Sequence, residues 1–169
     1  FNTEGQVELN AIIYIPERKM DLFDNTKKHN LKLYVKKIFI KDNCEGLVPE
    51  WLNYLVGIVD SANIPLNVSR ELLQENKIIS SINKVVTKKA IELFTELSKD
   101  EEKYKKFYDT YSKMLKLGVH EDSKNREKLL KLLRFYSVNS QDKYISLDDY
   151  IENMKEGFQE LCTFLDFLE

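Results

Sequence analysis

The spacing of the apolar residues changes once along this chain of 169 residues, and this change constrains the fold more than any other feature. Between residues 7 and 15 apolar side chains occupy every second position, as in a half-buried strand that Pro16 ends. Beyond residue 66 they recur three and four positions apart, as on one face of an amphipathic helix. The chain therefore begins with a sheet-bearing part and continues with a helical part.

Within the sheet-bearing part, two further strands and a short helix are predicted. We expect a single strand over residues 31–40, where apolar and polar side chains alternate at first. Pro49 predicts the start of a short helix, because proline lacks an N–H group that the first turn of a helix leaves unpaired. A strand at residues 57–60 completes the order strand, strand, short helix, strand, which favours a mixed sheet.

Four helices are predicted in the helical part. The first carries an apolar stripe over residues 78–97. Ser98 with Glu101 fits a capping box for the second helix, which has an aromatic face over residues 104–115 and is expected to close at Gly118. Leucines between residues 129 and 133 mark the third helix. The fourth is predicted to start at Ser146 with Asp149.

Composition and charge exclude several classes of function. With 43% hydrophobic and 32% charged residues, the chain has the composition of a globular domain. The 26 basic and 28 acidic residues leave a net charge of -2, so we expect no binding to nucleic acid or to an anionic membrane. No apolar run approaches the roughly 20 residues of a membrane-spanning helix. Because the chain begins with Phe1 and not with Met, we expect an internal piece of a longer protein.

No complete motif for catalysis or for a bound metal is present. The five glycines cannot form either of the common phosphate-binding glycine motifs. The two histidines, His29 and His120, have no metal-ligand partners at helical spacing, so no metal site is predicted. Cys44 and Cys162 form no metal-binding pair and are interpreted as ordinary thiols.

One segment gathers polar residues at the predicted start of the first long helix. Asn67 or Ser69 can cap that helix, and its free N–H groups favour an anion. Arg70 and Gln74 are four positions apart and so share a helix face. This arrangement suits a phosphate that approaches from outside. The alternative is that Arg70 pairs with a neighbouring acid such as Glu71 while Gln74 is merely solvated.

Two adjacent lysines have two possible interpretations. Lys36 and Lys37, on the predicted second strand, could add positive potential to the same region. The alternative is that they only keep the strand edge soluble and protected from pairing.

Four blocks of sequence occur in order along the chain. They are Leu-Lys-Leu-Tyr-Val-Lys-Lys-Ile-Phe-Ile at 31–40, Val-Asp-Ser at 59–61, Leu-Asn-Val-Ser-Arg-Glu at 66–71 and Leu-Gly-Val-His-Glu-Asp at 117–122. Together they resemble the middle domain of the ninety-kilodalton heat-shock chaperone family over nearly all of residues 1–160. The resemblance implies an α/β fold, an α-β-α layered domain with a mixed sheet, of the type of ribosomal protein S5 domain 2, followed by a helical connector.

The resemblance also implies a division of the chain. Residues 1–100 correspond to the large α/β subdomain with the catalytic-loop arginine, and residues 101–160 to the helical connector. Residues 161–169 do not match the family and are interpreted as a divergent or truncated tail, at the start of a missing small α/β subdomain.

The function implied is that of the middle segment of an ATP-driven chaperone. In the family this domain packs against an N-terminal ATPase domain, and the arginine of the Ser-Arg-Glu block reaches the ATP γ-phosphate. The resemblance gives that catalytic role to Arg70, with support from Gln74, while Phe39 steadies the docked interface. The residues implied to lie near the interface or the phosphate are Lys36, Lys37, Phe39, Asn67 and Ser69. The family usually has two arginines where Lys36 and Lys37 stand, so planar forks are replaced by point charges.

Cofactors and partners follow from the same resemblance. ATP and Mg²⁺ are expected in the full-length protein, bound by its N-terminal domain and not by this chain, which alone is predicted to be inactive. The expected partners are the protein's own N-terminal domain, client proteins in protein folding and the stress response, cochaperones that activate the ATPase, and a second copy held through a C-terminal domain. Trp51 and Tyr54 are predicted to contact clients or cochaperones.

Two alternatives stay open at this stage. The chain could be a non-catalytic protein-binding module that retains the fold without coupling to ATP hydrolysis. The expected compartment is the cytoplasm, with the endoplasmic reticulum or another organelle as the alternative.

Overall fold

Five strands form one mixed sheet in the part of the chain that this computed structural model describes, namely residues 1–3, 8–17, 30–64, 77–137, 140 and 143–153. The strands are β1 (Asn2–Thr3), β2 (Leu9–Tyr14), β3 (Asn30–Val35), β4 (Ile38–Lys41) and β5 (Val56–Ser61), in the spatial order β1-β2-β5-β3-β4. Only β3 and β5 run parallel among these neighbours, and the other pairs are antiparallel. The predicted α/β fold with a mixed sheet is confirmed.

The two faces of the sheet differ in exposure, as the alternation in the sequence predicts. On β2, Leu9 and Ala11 are buried, whereas Ile12 is 73% exposed. The apolar side chains of β3 at Leu31 and Leu33 point into the same core. The buried face therefore carries the side chains that hold the sheet to the helices.

The apolar segment 31–40 is not one strand, which corrects the sequence prediction. β3 ends at Val35 and β4 begins at Ile38, and the two pair antiparallel as a hairpin. Lys36 and Lys37 make the turn, with φ angles of 50° and 67°. A two-residue hairpin turn of type I′ needs positive φ at both of its central residues. The chain reverses direction here although the turn contains neither glycine nor asparagine, the residues that usually indicate such a turn in a sequence.

Four helices and one 3₁₀ turn complete the described structure. The 3₁₀ turn Glu50–Leu52 follows Pro49 as predicted, and the helices are α1 (Lys77–Leu97), α2 (Glu101–Glu121), α3 (Arg126–Leu130) and α4 (Leu147–Glu152). The predicted capping box of Ser98 and Glu101 is wrong, because the side chain of Asp100 caps α2 by accepting the Lys103 N–H. The predicted start of the fourth helix at Ser146 is confirmed, and Ser146 and Asp149 form a capping box there.

Gly118 does not close α2, which continues to Glu121. Its position in the helix faces the ring of Trp51, and a Cβ added there would lie 2.7 Å from Trp51 Cδ2. Carbon atoms pack at about 3.5–4.0 Å, so only glycine leaves room for the indole. The prediction that Gly118 ends the helix is wrong, because the residue allows a close approach and not a reversal of the chain.

One apolar core joins the sheet to the helices. Trp51, Tyr54 and Phe94 are the largest fully buried side chains of the described residues, and the Tyr54 ring stacks on Tyr111 of α2 with centroids 4.2 Å apart. The Tyr111 hydroxyl donates to the carbonyl oxygen of Pro16, which lies just beyond β2. Residues on both sides of residue 100 therefore share this core. The predicted division into a subdomain, a connector and a tail stays a prediction.

Candidate functional site

The candidate site lies at the edge of the sheet where β3 and β5 both end. These strands are parallel and in register, with Val35 opposite Ser61, so their carboxyl ends meet at the same edge. The β3–β4 turn leaves the sheet there, and beyond β5 the chain leads through residues 62–64 toward segment 65–76. Four predicted site residues fall in that segment and lie outside the described residues: Asn67, Ser69, Arg70 and Gln74. Ligand sites in α/β sheets favour the carboxyl ends of strands.

The lysine turn presents two cations at this edge. Lys36 and Lys37 are both exposed, and both have a left-handed backbone. That conformation costs an L-residue other than glycine roughly 1–2 kcal/mol. Backbone strain of this kind persists where the surrounding structure holds it, and it is concentrated at functional sites.

A carboxylate on β5 accepts a hydrogen bond from the turn. The backbone N–H of Lys37 donates to Asp60 Oδ1 over 3.1 Å. Asp60 is half-buried and lies opposite Tyr34 in the parallel pairing of β3 and β5. The turn is therefore tied to the strand that leads toward Arg70. Asp60 could not be identified from the sequence, because only the pairing of strands distant in sequence brings it to the turn.

Phe39 lies on β4 beside the turn. It is 49% exposed, and its ring packs edge-to-face on Tyr34 with centroids 5.5 Å apart. Its neighbour Ile38 is 53% exposed. An aromatic ring held by a partner and still half in solvent can supply apolar area to a docking domain.

The chain that leaves β5 is fixed at its start. The Glu8 N–H donates to Asn63 Oδ1 over 2.7 Å, and the Asn63 N–H donates to the hydroxyl of Ser61 over 3.4 Å. Ser61 is fully buried, and Ile64 is 2% exposed. These contacts determine the point at which the segment with Arg70 begins.

Trp51 and Tyr54 are core residues, which corrects the prediction that they contact clients or cochaperones. Their side chains are 0% and 1% exposed, so neither can touch a partner protein in this structure. Burial also raises the pKa of the Tyr54 phenol well above its usual range. The sequence signal for their burial is weak, because the chain around them forms only a single 3₁₀ turn.

Within the described residues, no group of three or more His, Cys, Asp and Glu side chains could hold a metal ion. Cys44 is a buried free thiol, and burial raises its pKa. His120 is exposed at the end of α2, while His29 and Cys162 lie outside the described residues. Among the described helices, none has the length and apolar character needed to cross a membrane.

Comparison with known proteins decides the family. The model of the family described as Hsp90 protein matches residues 1–164. The chain belongs to the Hsp90 family. The resemblance in the four blocks of sequence is thereby confirmed.

Relatives and a solved structure agree with this assignment. The Hsp90 chain is 48% identical over 159 residues to heat shock protein 83 of Leishmania donovani, covering 93% of this chain and 35% of that protein. It is 47% identical over 163 residues to the chaperone HtpG of Helicobacter pylori strain HPAG1, covering 96% of this chain and 26% of that protein. The middle domain of a Plasmodium falciparum heat shock protein superimposes with a TM-score of 0.79 at 41% identity, covering 94% of this chain and 62% of that one. The chain thus spans only part of the length of these Hsp90 relatives.

Proposed function

We propose that this chain is the middle segment of an ATP-dependent Hsp90 chaperone and supplies Arg70 to the γ-phosphate of ATP bound in a separate N-terminal domain. The observation that carries the proposal is the shared edge of β3 and β5. The exposed lysine turn follows β3 at that edge, and the chain toward Arg70 follows β5 at the same edge. Basic groups from two loops can therefore act on one phosphate group.

ATP hydrolysis needs little more from the middle segment than basic groups placed at the γ-phosphate. Phosphoryl transfer depends on positioning and on stabilising the charge of the transferred group. A guanidinium group is a planar donor that can bind phosphate oxygens through two hydrogen bonds, and Gln74 can support the same contact. Lys36 and Lys37 add positive potential as point charges. Arg70 would then link docking of the two domains to hydrolysis.

Phe39 fits the docking step. Its ring is anchored on Tyr34 and half-exposed, with the exposed Ile38 beside it. Burying these two side chains against the N-terminal domain removes apolar surface from water, which stabilises the docked arrangement. Asn67 or Ser69, which precede Arg70, would orient it by capping the helix predicted to follow.

The remaining parts of the proposal concern the full-length protein. ATP and Mg²⁺ would be bound by the N-terminal domain, and this chain alone would hydrolyse no ATP. Client proteins and ATPase-activating cochaperones would bind the assembled chaperone, which would form homodimers through a C-terminal domain. The proposed compartment is the cytoplasm.

Steady-state ATP hydrolysis by the full-length protein tests the proposal. Arg70→Ala is compared with wild type, with ATP affinity measured on both, and this chain alone is the blank. Arg126→Ala is a matched control, because the Arg126 guanidinium donates to the carbonyl oxygens of Val119 and His120 and not to the proposed site. Loss of a charge-assisted contact of about 1.5–3 kcal/mol predicts turnover roughly ten- to a hundredfold slower.

The coupling hypothesis and the alternative of a non-catalytic binding module predict different results in this assay. Turnover that falls at least tenfold in Arg70→Ala, with ATP still bound and Arg126→Ala active, supports the coupling role. Unchanged turnover in Arg70→Ala contradicts it and favours a protein-binding module that retains the fold.

A further inference from the structure

The lysine turn has a conformation that its own residues do not favour. Positive φ at both central residues of a two-residue hairpin is typical of asparagine and glycine. Here both positions are lysine, with φ angles of 50° and 67°. Something outside the turn therefore has to hold it.

The contact that does so comes from β5. Asp60 Oδ1 accepts the N–H of Lys37, the second residue of the turn, over 3.1 Å. Asp60 lies on neither strand of the hairpin, so the bond ties the turn to the next strand of the sheet. The turn is fixed relative to the parallel β3–β5 pair and not only to its own hairpin.

The same row of the sheet carries the anchor for Phe39. Asp60 is opposite Tyr34 on β3, and Tyr34 is opposite Phe39 on β4. The Tyr34 and Phe39 rings are in edge-to-face contact. Two residues that lie side by side on β5 and β3, Asp60 and Tyr34, thus contact the turn and the exposed ring beside it, respectively.

We infer that Asp60 is a positioning residue of this edge: it holds the Lys36–Lys37 turn in its left-handed conformation, and so directs the two cations and Phe39 toward the docking domain. This inference rests on the proposed function for its catalytic consequence. Asp60 acts through the turn and touches neither ATP nor the reacting atoms.

Hydrogen exchange at the Lys37 amide tests the structural half of the inference. In the full-length protein, Asp60→Ala is expected to speed exchange at this amide roughly three- to tenfold, the effect of losing one hydrogen bond. Asp60→Asn keeps an acceptor oxygen at the same position and is expected to retain most of the protection. If Asp60→Ala does not fold, Asp60→Thr replaces it, because threonine favours strands but lacks the carboxylate.

Asp42→Ala is the matched control. Asp42 Oδ1 accepts the N–H of Asn43 over 3.0 Å, and Asn43 also has a positive φ, of 49°. This pair lies just beyond the other end of β4, away from the turn. Asp42→Ala is expected to leave both the Lys37 amide and ATP turnover unchanged.

ATP hydrolysis by the same full-length variants tests the functional half. Asp60→Ala is expected to lower kcat roughly three- to tenfold with the KM for ATP within about twofold of wild type, because positioning of the docked state is lost and ATP binding is not. Asp60→Asn is expected to restore most of kcat. Rescue by Asp60→Asn would show that the turn needs the acceptor oxygen of residue 60 and not its negative charge.

Each outcome decides a separate point. Unchanged exchange at the Lys37 amide in Asp60→Ala overturns the inference. Faster exchange with unchanged kcat, in a protein where Arg70→Ala lowers kcat, overturns the positioning role and leaves the proposed function standing. If Arg70→Ala has no effect, the proposed function fails, and the exchange rate alone decides whether Asp60 holds the turn.

Discussion

Replacing Gly118 by alanine tests the packing between α2 and the 3₁₀ turn. The added Cβ would lie 2.7 Å from Trp51 Cδ2 and 3.0 Å from both Cε3 and Cγ. Trp51 is fully buried, so its ring cannot move into solvent to relieve the overlap. The contact involves rigid ring atoms and not the end of a flexible side chain. We expect Gly118→Ala to be destabilising.

Two effects of opposite sign set the magnitude. Alanine is favoured over glycine within a helix by about 0.8–1.0 kcal/mol. Overpacking a close-packed core costs typically 1–3 kcal/mol, and contacts this short belong to the upper part of that range. The net result is a loss of about 1–2 kcal/mol in the free energy of unfolding, which lowers the Tm of a chain of this size by roughly 3–6 °C.

Urea unfolding followed by circular dichroism measures this difference. Trp51 is the only tryptophan of the chain, so its fluorescence reports the same contact directly in wild type and Gly118→Ala. In a Trp51→Leu background the overlap is gone, and Gly118→Ala is expected to stabilise by about 0.5–1 kcal/mol through helix propensity alone. A rise in unfolding free energy on Gly118→Ala in the wild-type background would refute the reasoning.

Three further changes have expected outcomes in thermal or urea unfolding. Lys37→Gly is expected to stabilise by about 0.5–1 kcal/mol, because glycine adopts positive φ without strain, and an equal loss would contradict a left-handed turn. Asp149→Ala is expected to cost about 1 kcal/mol at neutral pH, since the carboxylate accepts from Ser146. The hydrogen bond from Ser146 lowers the pKa of Asp149 in the folded protein. The stabilisation by this carboxylate is therefore complete above the pKa of about 3.9 that Asp has in the unfolded chain, and it is lost as the pH falls through the lower pKa of the folded state. The wild type and Asp149→Ala are therefore expected to converge in strongly acid buffer, and a constant difference from pH 7 to 2 would disagree. Tyr111→Phe removes the bond to the Pro16 carbonyl oxygen and is expected to cost about 1 kcal/mol, whereas no loss would mean that water replaces the bond.

Local patterns in the sequence were sufficient for most of the elements. The alternation in β2 and the apolar stripe of α1 follow from the periods of strands and helices, which depend only on neighbouring residues. The Ser146–Asp149 capping box is likewise a contact over three residues. The family blocks then supplied the roles proposed for Arg70 and its neighbours, which no pattern of spacing could assign.

Features that depend on distant residues were missed. Lys36 and Lys37 resemble strand residues, and the hairpin turn they make is held in part by Asp60, 23 positions away. A glycine in a helix is commonly a helix end, but Gly118 is required by the indole of Trp51. Both errors have the same physical cause. The backbone conformation of the lysine turn and the need for glycine at position 118 both depend on residues that are distant in the sequence.

The sequence also did not predict which strands end together at the candidate site. The mixed sheet was predicted, but not that β3 and β5 are its parallel neighbours. This pairing directs the lysine turn and the chain toward Arg70 to the same edge. The burial of Trp51 and Tyr54 was missed because a single 3₁₀ turn gives no periodic pattern to read.

Single-turnover hydrolysis of pre-bound ATP by the full-length protein tests the central claim most directly. With the protein in excess over ATP and well above the Kd, all ATP is bound, so the rate reports docking and phosphoryl transfer and is independent of ATP affinity. We predict that Arg70→Ala slows this step roughly ten- to a hundredfold while Arg126→Ala does not. An Arg70→Ala protein that cleaves bound ATP at the wild-type rate would contradict the claim that this Hsp90 segment supplies the γ-phosphate contact.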